Sequence, residues 1–261
     1  MLIESIEVVP SRALKHAGIA MLALMASCGT KEAPGPLEPS GPVGRVRVVN
    51  VITDAARGTV NAILEGLPFG VNLTYTQSAP ASLPAPATAN YAAVLAGDHS
   101  FILKRTADTT VTVATLPFSV ASGQDRTVFA VGGAGGGAVT SVITTDDNTA
   151  SSTQARVRIV QLSPTAGAVD VFVTAVGADL STASPAASGL AYQGASPYIA
   201  LAPGVYQVRT VPAGTPAANR AASVSITLAS VTLAAGTGRT IVAADNSTGG
   251  SPLRLFVLTD R

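Results

Sequence analysis

The sequence predicts an all-β protein with two tandem immunoglobulin-like β-sandwich domains, which follow an N-terminal signal and a Pro/Gly-rich spacer. Two observations support this fold class. Short runs of alternating apolar and polar residues recur along the chain, and Gly, Pro, Asn or Ser separates them, as strands and turns require. The sequence also repeats itself at an offset of roughly 110 residues, which fits a duplicated domain better than a short solenoid repeat.

The N-terminus has the features of an export signal. A basic segment precedes an apolar run over residues 17–26, and Cys28 follows after one further residue. The run is about ten residues long, whereas a bilayer-spanning helix needs about twenty. We therefore expect residues 1–27 to be a lipoprotein signal peptide. The alternative is an incidental apolar N-terminus with a buried thiol.

Cys28 is the only cysteine of the chain, and its surroundings resemble a bacterial lipobox, which implies that it is lipidated and becomes the first residue of the mature protein. Several acyl chains on one residue give stable anchoring. Because Gly29 rather than Asp follows, we expect the outer membrane as the destination. Residues 28–44 contain four prolines and no apolar periodicity, which indicates a semi-extended spacer.

Two copies of one domain follow the spacer. The clearest repeated segments are 45–49 with 156–160, 59–64 with 168–173, and 123–128 with 236–241. We predict a first β-sandwich over residues 45–145, a linker over 146–155 and a second β-sandwich over 156–261. Valines and arginines alternate in the segment Arg45–Val48, which predicts a half-buried strand with the arginines on its polar side. Roughly seven strands in each copy suit an immunoglobulin-like sandwich, with a small barrel as the alternative.

The composition limits the classes of function. Of the 261 residues 47% are hydrophobic and only 12% are charged, and the formal net charge is +1. A protein that binds nucleic acid through its phosphates usually carries a basic patch and a clear excess of positive charge. We therefore expect no nucleic-acid partner.

Two motifs could suggest catalysis or nucleotide binding. Outside the signal His99 is the only histidine, and because Tyr206 occupies the aligned position of the second copy, a structural role is favoured. Residues 133–138 match the letters of a dinucleotide fingerprint, but the strand-like residues 139–144 follow where that fingerprint needs a helix. We expect a hairpin loop there.

Acidic residues give no convincing metal site. Asp146, Asp147 and Asn148 could offer oxygen ligands to Ca²⁺ between the domains, but they lack the alternating spacing of a calcium loop. We therefore favour a solvated linker and predict no metal and no cofactor. Asp170 is expected to form a hydrogen bond to the turn at Ser163 rather than to take part in catalysis.

A glycine and the tyrosines complete the candidates. A Pro-Gly pair at Gly204 before an alternating strand predicts a turn with positive φ, as does the aligned Gly97. The chain has five tyrosines that could form a sugar-stacking surface, namely Tyr75, Tyr91, Tyr192, Tyr198 and Tyr206. The alignment of Tyr91 with Tyr198 instead suggests a shared structural position.

The second copy resembles the bacterial envelope family known as domain of unknown function 4397. The residues that carry the resemblance are 156–164, 168–173, 196–198, 202–206 and 233–236. The first copy matches less well, since Asn61 stands where the family has Asp. The resemblance implies an extracytoplasmic location, a β-sandwich fold and a tandem arrangement, and it implies no catalytic or ligand-binding residues.

Together these observations predict a non-enzymatic lipoprotein of the cell envelope, with its tandem sandwiches as a binding or spacer module of unknown ligand. The alternative is a carbohydrate- or polymer-binding accessory module at the cell surface. The expected partners are the membrane, through the lipid on Cys28, and an envelope protein or glycan. An enzyme would need a nucleophile and a base drawn from Ser, Asp and Lys, and no spacing in the sequence supports one.

Overall fold

A computed structural model describes residues 41–80, 90–149 and 151–261. The predicted signal peptide, Cys28 and most of the spacer lie outside these residues. The part described consists of strands, turns and two short 3₁₀ turns, Ala134–Gly136 and Ala217–Asn219. None of its helices is long and apolar enough to cross a membrane.

The described part of the first copy contains nine strands. They are β1 (Val43–Ile52), β2 (Val60–Leu64), β3 (Leu67–Leu73), β4 (Ser78–Ala79), β5 (Ala92–Leu95), β6 (Gly97–Arg105), β7 (Asp108–Val120), β8 (Asp125–Gly132) and β9 (Val139–Asp146). The second copy contains eight. They are β10 (Ala155–Leu162), β11 (Val169–Ala175), β12 (Ala187–Leu190), β13 (Ile199–Leu201), β14 (Gly204–Pro212), β15 (Ile226–Leu233), β16 (Gly238–Ala244) and β17 (Arg254–Thr259).

Each copy is a sandwich of two sheets with equivalent strand orders. In the first copy the orders are β4-β1-β8-β9, with β5 also paired to β1, and β3-β2-β6-β7. In the second copy they are β13-β10-β16-β17 and β12-β11-β14-β15. The prediction of all-β sandwich domains is confirmed. Among the described residues, no strand of one copy pairs with a strand of the other.

The first strand of each copy lies inside its sheet. β1 runs parallel to β8 and β10 runs parallel to β16, whereas the other pairs are antiparallel. An immunoglobulin constant domain instead divides seven strands into sheets of four and three. The interior position matters for function, because it places β1 and β10 where both of their faces can be covered.

Each sandwich has its own apolar core between its two sheets. In the first copy, Val46, Val48, Val128 and Ala130 pack against Ala62, Phe101, Leu103 and Leu116. In the second copy, Val157, Ile159 and Ile241 pack against Val169, Val171 and Val208. These residues alternate along their strands, as expected for one inward face of each sheet.

A third apolar layer lies between the two copies. It contains Val49, Val51, Phe129, Val131 and Val142 from the first copy and Val160, Leu162, Val242, Ala244 and Leu258 from the second. The sheet of β1 and the sheet of β10 are therefore covered on both faces. The predicted polar side of β1 is wrong for this reason: Arg47 is buried there, while Arg45 near the end of the strand remains partly exposed.

Two predicted turns have different outcomes. Residues 133–138 join β8 to β9 as the expected hairpin loop. Gly97 has the predicted positive φ, at 144°, but Gly204 does not have a positive φ and begins strand β14 instead. The prediction for Gly204 is therefore wrong: both glycines begin a strand, but Gly204 does so without a positive φ.

Candidate functional site

Arg47 of the first copy binds the end of the last strand of the second copy. Its Nη2 donates a hydrogen bond to Asp260 Oδ1 at 2.7 Å, and its Nη1 donates to the carbonyl oxygen of Thr259 at 2.7 Å. Within its own copy, Arg47 donates to the Thr127 hydroxyl through Nε and Nη2, at 3.2 and 2.9 Å. The planar guanidinium thus uses three of its nitrogens to join β1, β8 and the end of β17.

Arg158 makes the equivalent contacts in the opposite direction. Its Nη2 donates to Asp146 Oδ1 at 2.6 Å, and its Nη1 donates to the carbonyl oxygen of Thr145 at 3.0 Å. Its Nε and Nη2 donate to the Thr240 hydroxyl of its own copy, at 3.2 and 2.9 Å. The two copies therefore exchange equivalent contacts, as two subunits do across a twofold axis.

A tyrosine completes each half of this arrangement. The hydroxyl of Tyr91 donates to Asp146 at 2.6 Å, and that of Tyr198 donates to Asp260 at 3.0 Å. The guanidinium carbon of Arg47 lies 4.6 Å from the ring centre of Tyr91, and that of Arg158 lies 4.8 Å from the ring centre of Tyr198. Each arginine is thereby held between a carboxylate and an aromatic face.

We call these eight residues the exchange cluster: Arg47, Tyr91, Thr127, Asp146, Arg158, Tyr198, Thr240 and Asp260. The side chain of Arg47 is 1% exposed, and those of Asp146 and Asp260 are 0% exposed. Separating the copies would leave each arginine without the carboxylate it contacts most closely. An arrangement that kept these charges buried without their partners would be costly, so the cluster fixes how the two copies fit together.

The electrostatics of the exchange cluster follow from its burial. Burial alone would lower the pKa of Arg47 and Arg158, but the acidic groups around them outweigh this and raise both pKa values. Burial also raises the pKa of Tyr91 and Tyr198 well above the usual value. Both tyrosines therefore stay protonated at neutral pH and act as hydrogen-bond donors rather than nucleophiles.

A cavity of about 500 Å³ lies beside the exchange cluster, between the two copies. The first copy contributes the end of β3 and the turn into β4, and the second copy contributes β17. The lining residues are Arg47, Val71, Asn72, Leu73, Thr76, Gln77, Ser78, Asn90, Val257, Leu258 and Thr259.

His99 lies on β6, outside the exchange cluster, and its hydrogen-bond partners are local. Its Nδ1 lies 2.9 Å from Glu65 Oε1 and its Nε2 lies 2.7 Å from the carbonyl oxygen of Leu95. In the second copy the Tyr206 hydroxyl donates to the carbonyl oxygen of Ala202 at 2.8 Å, an equivalent bond from the aligned position. The predicted structural role of His99 agrees with these contacts.

The residues predicted to form a solvated linker instead bind other side chains. Asp146 is the last residue of β9 and belongs to the exchange cluster, so the prediction that it is solvated is wrong. Asp147 pairs with Arg156, and Asn148 donates to Asp125. Within the residues described, no group of three potential ligands could hold a metal ion.

Asp170 does not contact the Ser163 turn, so that prediction is also wrong. Its carboxylate accepts hydrogen bonds from the backbone N–H groups of Gly189 and Gly214, at 2.8 and 3.1 Å. The turn is held by Asp245 instead, which accepts hydrogen bonds from the hydroxyls of Ser163 and Thr165. Asp245 comes directly after β16, and strand pairing brings it beside the end of β10.

The five tyrosines do not form one surface. Tyr91 and Tyr198 occupy the shared structural position that their alignment suggested, inside the exchange cluster. Tyr75 is partly buried between the copies, where its hydroxyl donates to the carbonyl oxygen of Asp245 at 2.6 Å and burial raises its pKa to about 12. Tyr192 and Tyr206 lie in the second copy, and among the described residues none of the five tyrosine rings stacks on another.

The exchange cluster was not predicted from the sequence, although a signal for it exists. Arg47 and Arg158 stand at equivalent places in the repeat, and a Thr-Asp pair ends the last strand of each copy, at Asp146 and Asp260. Repeated opposite charges in otherwise apolar strands indicate pairing. Which copy supplies the partner cannot be seen in the sequence.

Comparison with known families gives one clear result. The sequence matches the family described as "Domain of unknown function (DUF4397)" over residues 44–172 and 174–261, which is well over half of the chain. The chain belongs to this family. The two matched segments agree with two tandem DUF4397 copies, as the sequence resemblance predicted.

Other comparisons add little to the DUF4397 assignment. No curated protein matches the sequence. Among solved structures, the carbohydrate-binding module CBMbc (family CBM26) of Amy13K from Eubacterium rectale, in complex with maltoheptaose, is 8% identical, with 83% of this chain and 97% of that chain covered and a TM-score of 0.24. A leucine-rich repeat protein from Bacteroides thetaiotaomicron is 14% identical, with 78% and 26% covered and a TM-score of 0.18. At such TM-scores neither likeness carries a conclusion.

Proposed function

We propose that this DUF4397 protein is a non-enzymatic lipoprotein of the cell envelope whose two sandwiches act as one rigid binding or spacer module. The observation that supports this most is the exchange cluster together with the apolar layer beside it. Two domains that moved independently on a flexible linker would have no need of buried charges that only the other copy can pair. A fixed arrangement suits a module that presents a defined surface at a defined distance from the membrane.

The anchor is part of the same proposal. The lipobox-like sequence before Cys28 supports lipidation, and Gly29 supports the outer membrane as destination. The spacer that follows would hold the first strand, β1, away from the bilayer. The partners we propose are the membrane, through the lipid, and an envelope protein or glycan, with no nucleic acid.

The anchor is tested by fractionation of cells that express the full-length protein. The wild type should incorporate labelled palmitate and sediment with the outer membrane. Cys28→Ser should lose the label and leave the membrane fraction. A Cys28→Ser protein that remains labelled and sediments with membranes would refute the lipid anchor.

Rigidity is tested by measuring a distance between the copies. Spin labels on cysteines introduced at Ile102 and Val205, which are exposed on the first and second copy, report that distance. Cys28 is replaced by serine so that it is not labelled. We expect one narrow distance distribution, and a broad one after Arg47→Leu and Arg158→Leu. A broad distribution in the absence of the arginine substitutions would contradict a rigid module.

The absence of enzymatic activity is likewise a proposal. The tyrosine hydroxyls of the exchange cluster are donors to carboxylates, and His99 is bonded to Glu65 and a backbone carbonyl. These groups are arranged for structure, since neither set contains a nucleophile activated by a neighbouring base. A hydrolytic activity lost on His99→Ala, with unchanged stability, would overturn this part.

Carbohydrate binding is the second candidate. Its expected support was a surface of tyrosines, and Tyr91 and Tyr198 are buried in the exchange cluster instead. A glycan would therefore need another surface, with neutral hydrogen-bonding groups next to apolar ones. The cavity between the copies has this chemistry.

A further inference from the structure

The cavity between the copies breaks the symmetry of the molecule. Val257 of β17 lines it, whereas Ile143, at the equivalent place on β9 of the first copy, does not. The two side chains are equally exposed, at 36% each. The difference arises on the facing side, where β3 and the turn into β4 contribute residues 71–78.

Apolar side chains at the cavity are unusually open to solvent. Val71 is 60% exposed and Val257 is 36% exposed, and both lie beside the buried Leu73 and Leu258. Exposed apolar groups gathered around a concavity are typical of binding sites, whereas scattered ones need no explanation. The volume of about 500 Å³ falls within the range of ligand pockets, which often lie where domains meet.

The polar part of the lining is neutral. Amide and hydroxyl groups are supplied by Asn72, Thr76, Gln77, Ser78, Asn90 and Thr259. Arg47 is the one charged lining residue among those described, and its guanidinium is already bonded to Asp260, Thr127 and Thr259. A charged ligand would find no free countercharge, whereas hydroxyl groups could both donate to and accept from the amides.

We propose that this cavity binds a segment of a neutral oligosaccharide. The hydroxyls of the sugar would be bonded by the amides of Gln77 and Asn90, and its apolar C–H faces would lie on Val71 and Val257. The proposal rests on the binding role in the proposed function and names its ligand class. It also gives the two-copy arrangement a purpose, since each copy alone would supply only one wall.

The test is calorimetric titration of the full-length protein, carrying Cys28→Ser, with cellohexaose, chitohexaose, maltohexaose and hexagalacturonic acid. We expect one or more of the three neutral sugars to bind with one site per chain. The acidic sugar should bind at least about tenfold more weakly, because its carboxylates would be desolvated without a partner.

Matched variants locate the site. Val257→Asp should weaken binding of the neutral sugar by about tenfold or more, and Ile143→Asp should leave it unchanged. Asn90→Ala and Gln77→Ala should each weaken binding about three- to tenfold, as expected for one lost hydrogen bond. Each variant is melted in parallel, and if Val257→Asp fails to fold, the two alanine variants decide.

Three results would overturn the proposal. They are no saturable binding of any neutral sugar up to its solubility limit, equal losses for Val257→Asp and Ile143→Asp, and tighter binding of the acidic sugar. None of them affects the distance measurement or the fractionation described above. A failure of the glycan site is therefore distinguishable from a failure of the rigid, anchored module.

Discussion

The two copies of the domain agree at the contact between them and differ at their ends. Arg47 and Arg158 make equivalent hydrogen bonds, each through Nη2 to the Oδ1 atom of an aspartate on the other copy. The turn after the first strand is held differently. In the second copy Asp245 binds the turn, whereas in the first copy Asp54 pairs with Arg57, which also donates to the carbonyl oxygens of the β8–β9 loop.

The difference shows which parts of a duplicated domain can diverge independently. A turn that is satisfied within its own copy can be rebuilt with other residues, as Asp54 and Asp245 illustrate. A residue whose partner lies on the other copy cannot change alone, because the change would leave a buried charge unpaired. The exchange cluster is accordingly among the parts of the repeat that both copies share.

The outer faces of the two sandwiches also differ. In the second copy Phe172 is fully buried on the outer side of β11, where Leu180 and Val211 pack beside it and Arg220 lies over its ring at 5.0 Å. In the first copy Ile102, on the outer side of β6, remains partly exposed. Among the described residues, only those of the second copy form a small additional core outside the sandwich.

The largest effect is expected from Arg47→Leu. This substitution leaves the buried Asp260 without its closest cation and should lower the free energy of unfolding by about 3 to 5 kcal/mol. Arg45→Leu is the control, since Arg45 also pairs with an aspartate but its side chain is 45% exposed, and it should cost less than about 1 kcal/mol. Denaturant unfolding measures both. Similar losses of stability for the two variants would show that the buried pair of Arg47 and Asp260 contributes no more than the exposed pair of Arg45.

Two buried threonines sharpen the comparison further. The Thr240 hydroxyl accepts from Arg158 and donates to Asp260 at 2.7 Å, so Thr240→Val should destabilise the protein by about 1 to 3 kcal/mol. Thr210 is buried in the second sandwich with no hydrogen-bond partner for its hydroxyl among the described residues, where the first copy has Leu103. Thr210→Val should therefore leave stability unchanged or raise it by about 1 kcal/mol. A loss on Thr210→Val would reveal a partner for that hydroxyl.

The smallest effect concerns the aligned glycines. Gly97→Ala should cost about 1 kcal/mol or more, because φ is 144° there and residues with a β-carbon rarely adopt that conformation. Gly204→Ala should change stability by less than about 0.5 kcal/mol, since its φ is not positive and a β-carbon would meet only the ring of Tyr206 at 3.4 Å. Equal costs at the two positions would contradict the difference in backbone conformation.

Many strands could be predicted from the sequence, because each sandwich buries one face of each sheet. Apolar and polar residues then alternate along a strand. The same rule failed at β1, which is buried on both faces. Alternating Val and Arg has the pattern of a solvent-exposed strand, and only the position of the other copy shows that Arg47 is enclosed.

The functional features were harder to predict for a related physical reason. The exchange cluster and the cavity include residues that are distant in the sequence: Arg47 lies 213 positions before Asp260, and Val71 lies 186 positions before Val257. No local propensity encodes such a pairing. Asp170 and Asp245 show the same limit on a smaller scale, since strand order decides which of them meets the Ser163 turn.

The central claim is that the two copies form one cooperative unit through the exchange cluster, and calorimetry of the full-length chain with Cys28→Ser tests it most directly. We expect a single transition whose calorimetric and van't Hoff enthalpies agree, as for a two-state domain. The double variant Arg47→Leu and Arg158→Leu should then show two transitions, one for each sandwich. Two resolved transitions before any substitution in the cluster would contradict the account, because the copies would then be stable without their exchanged charges.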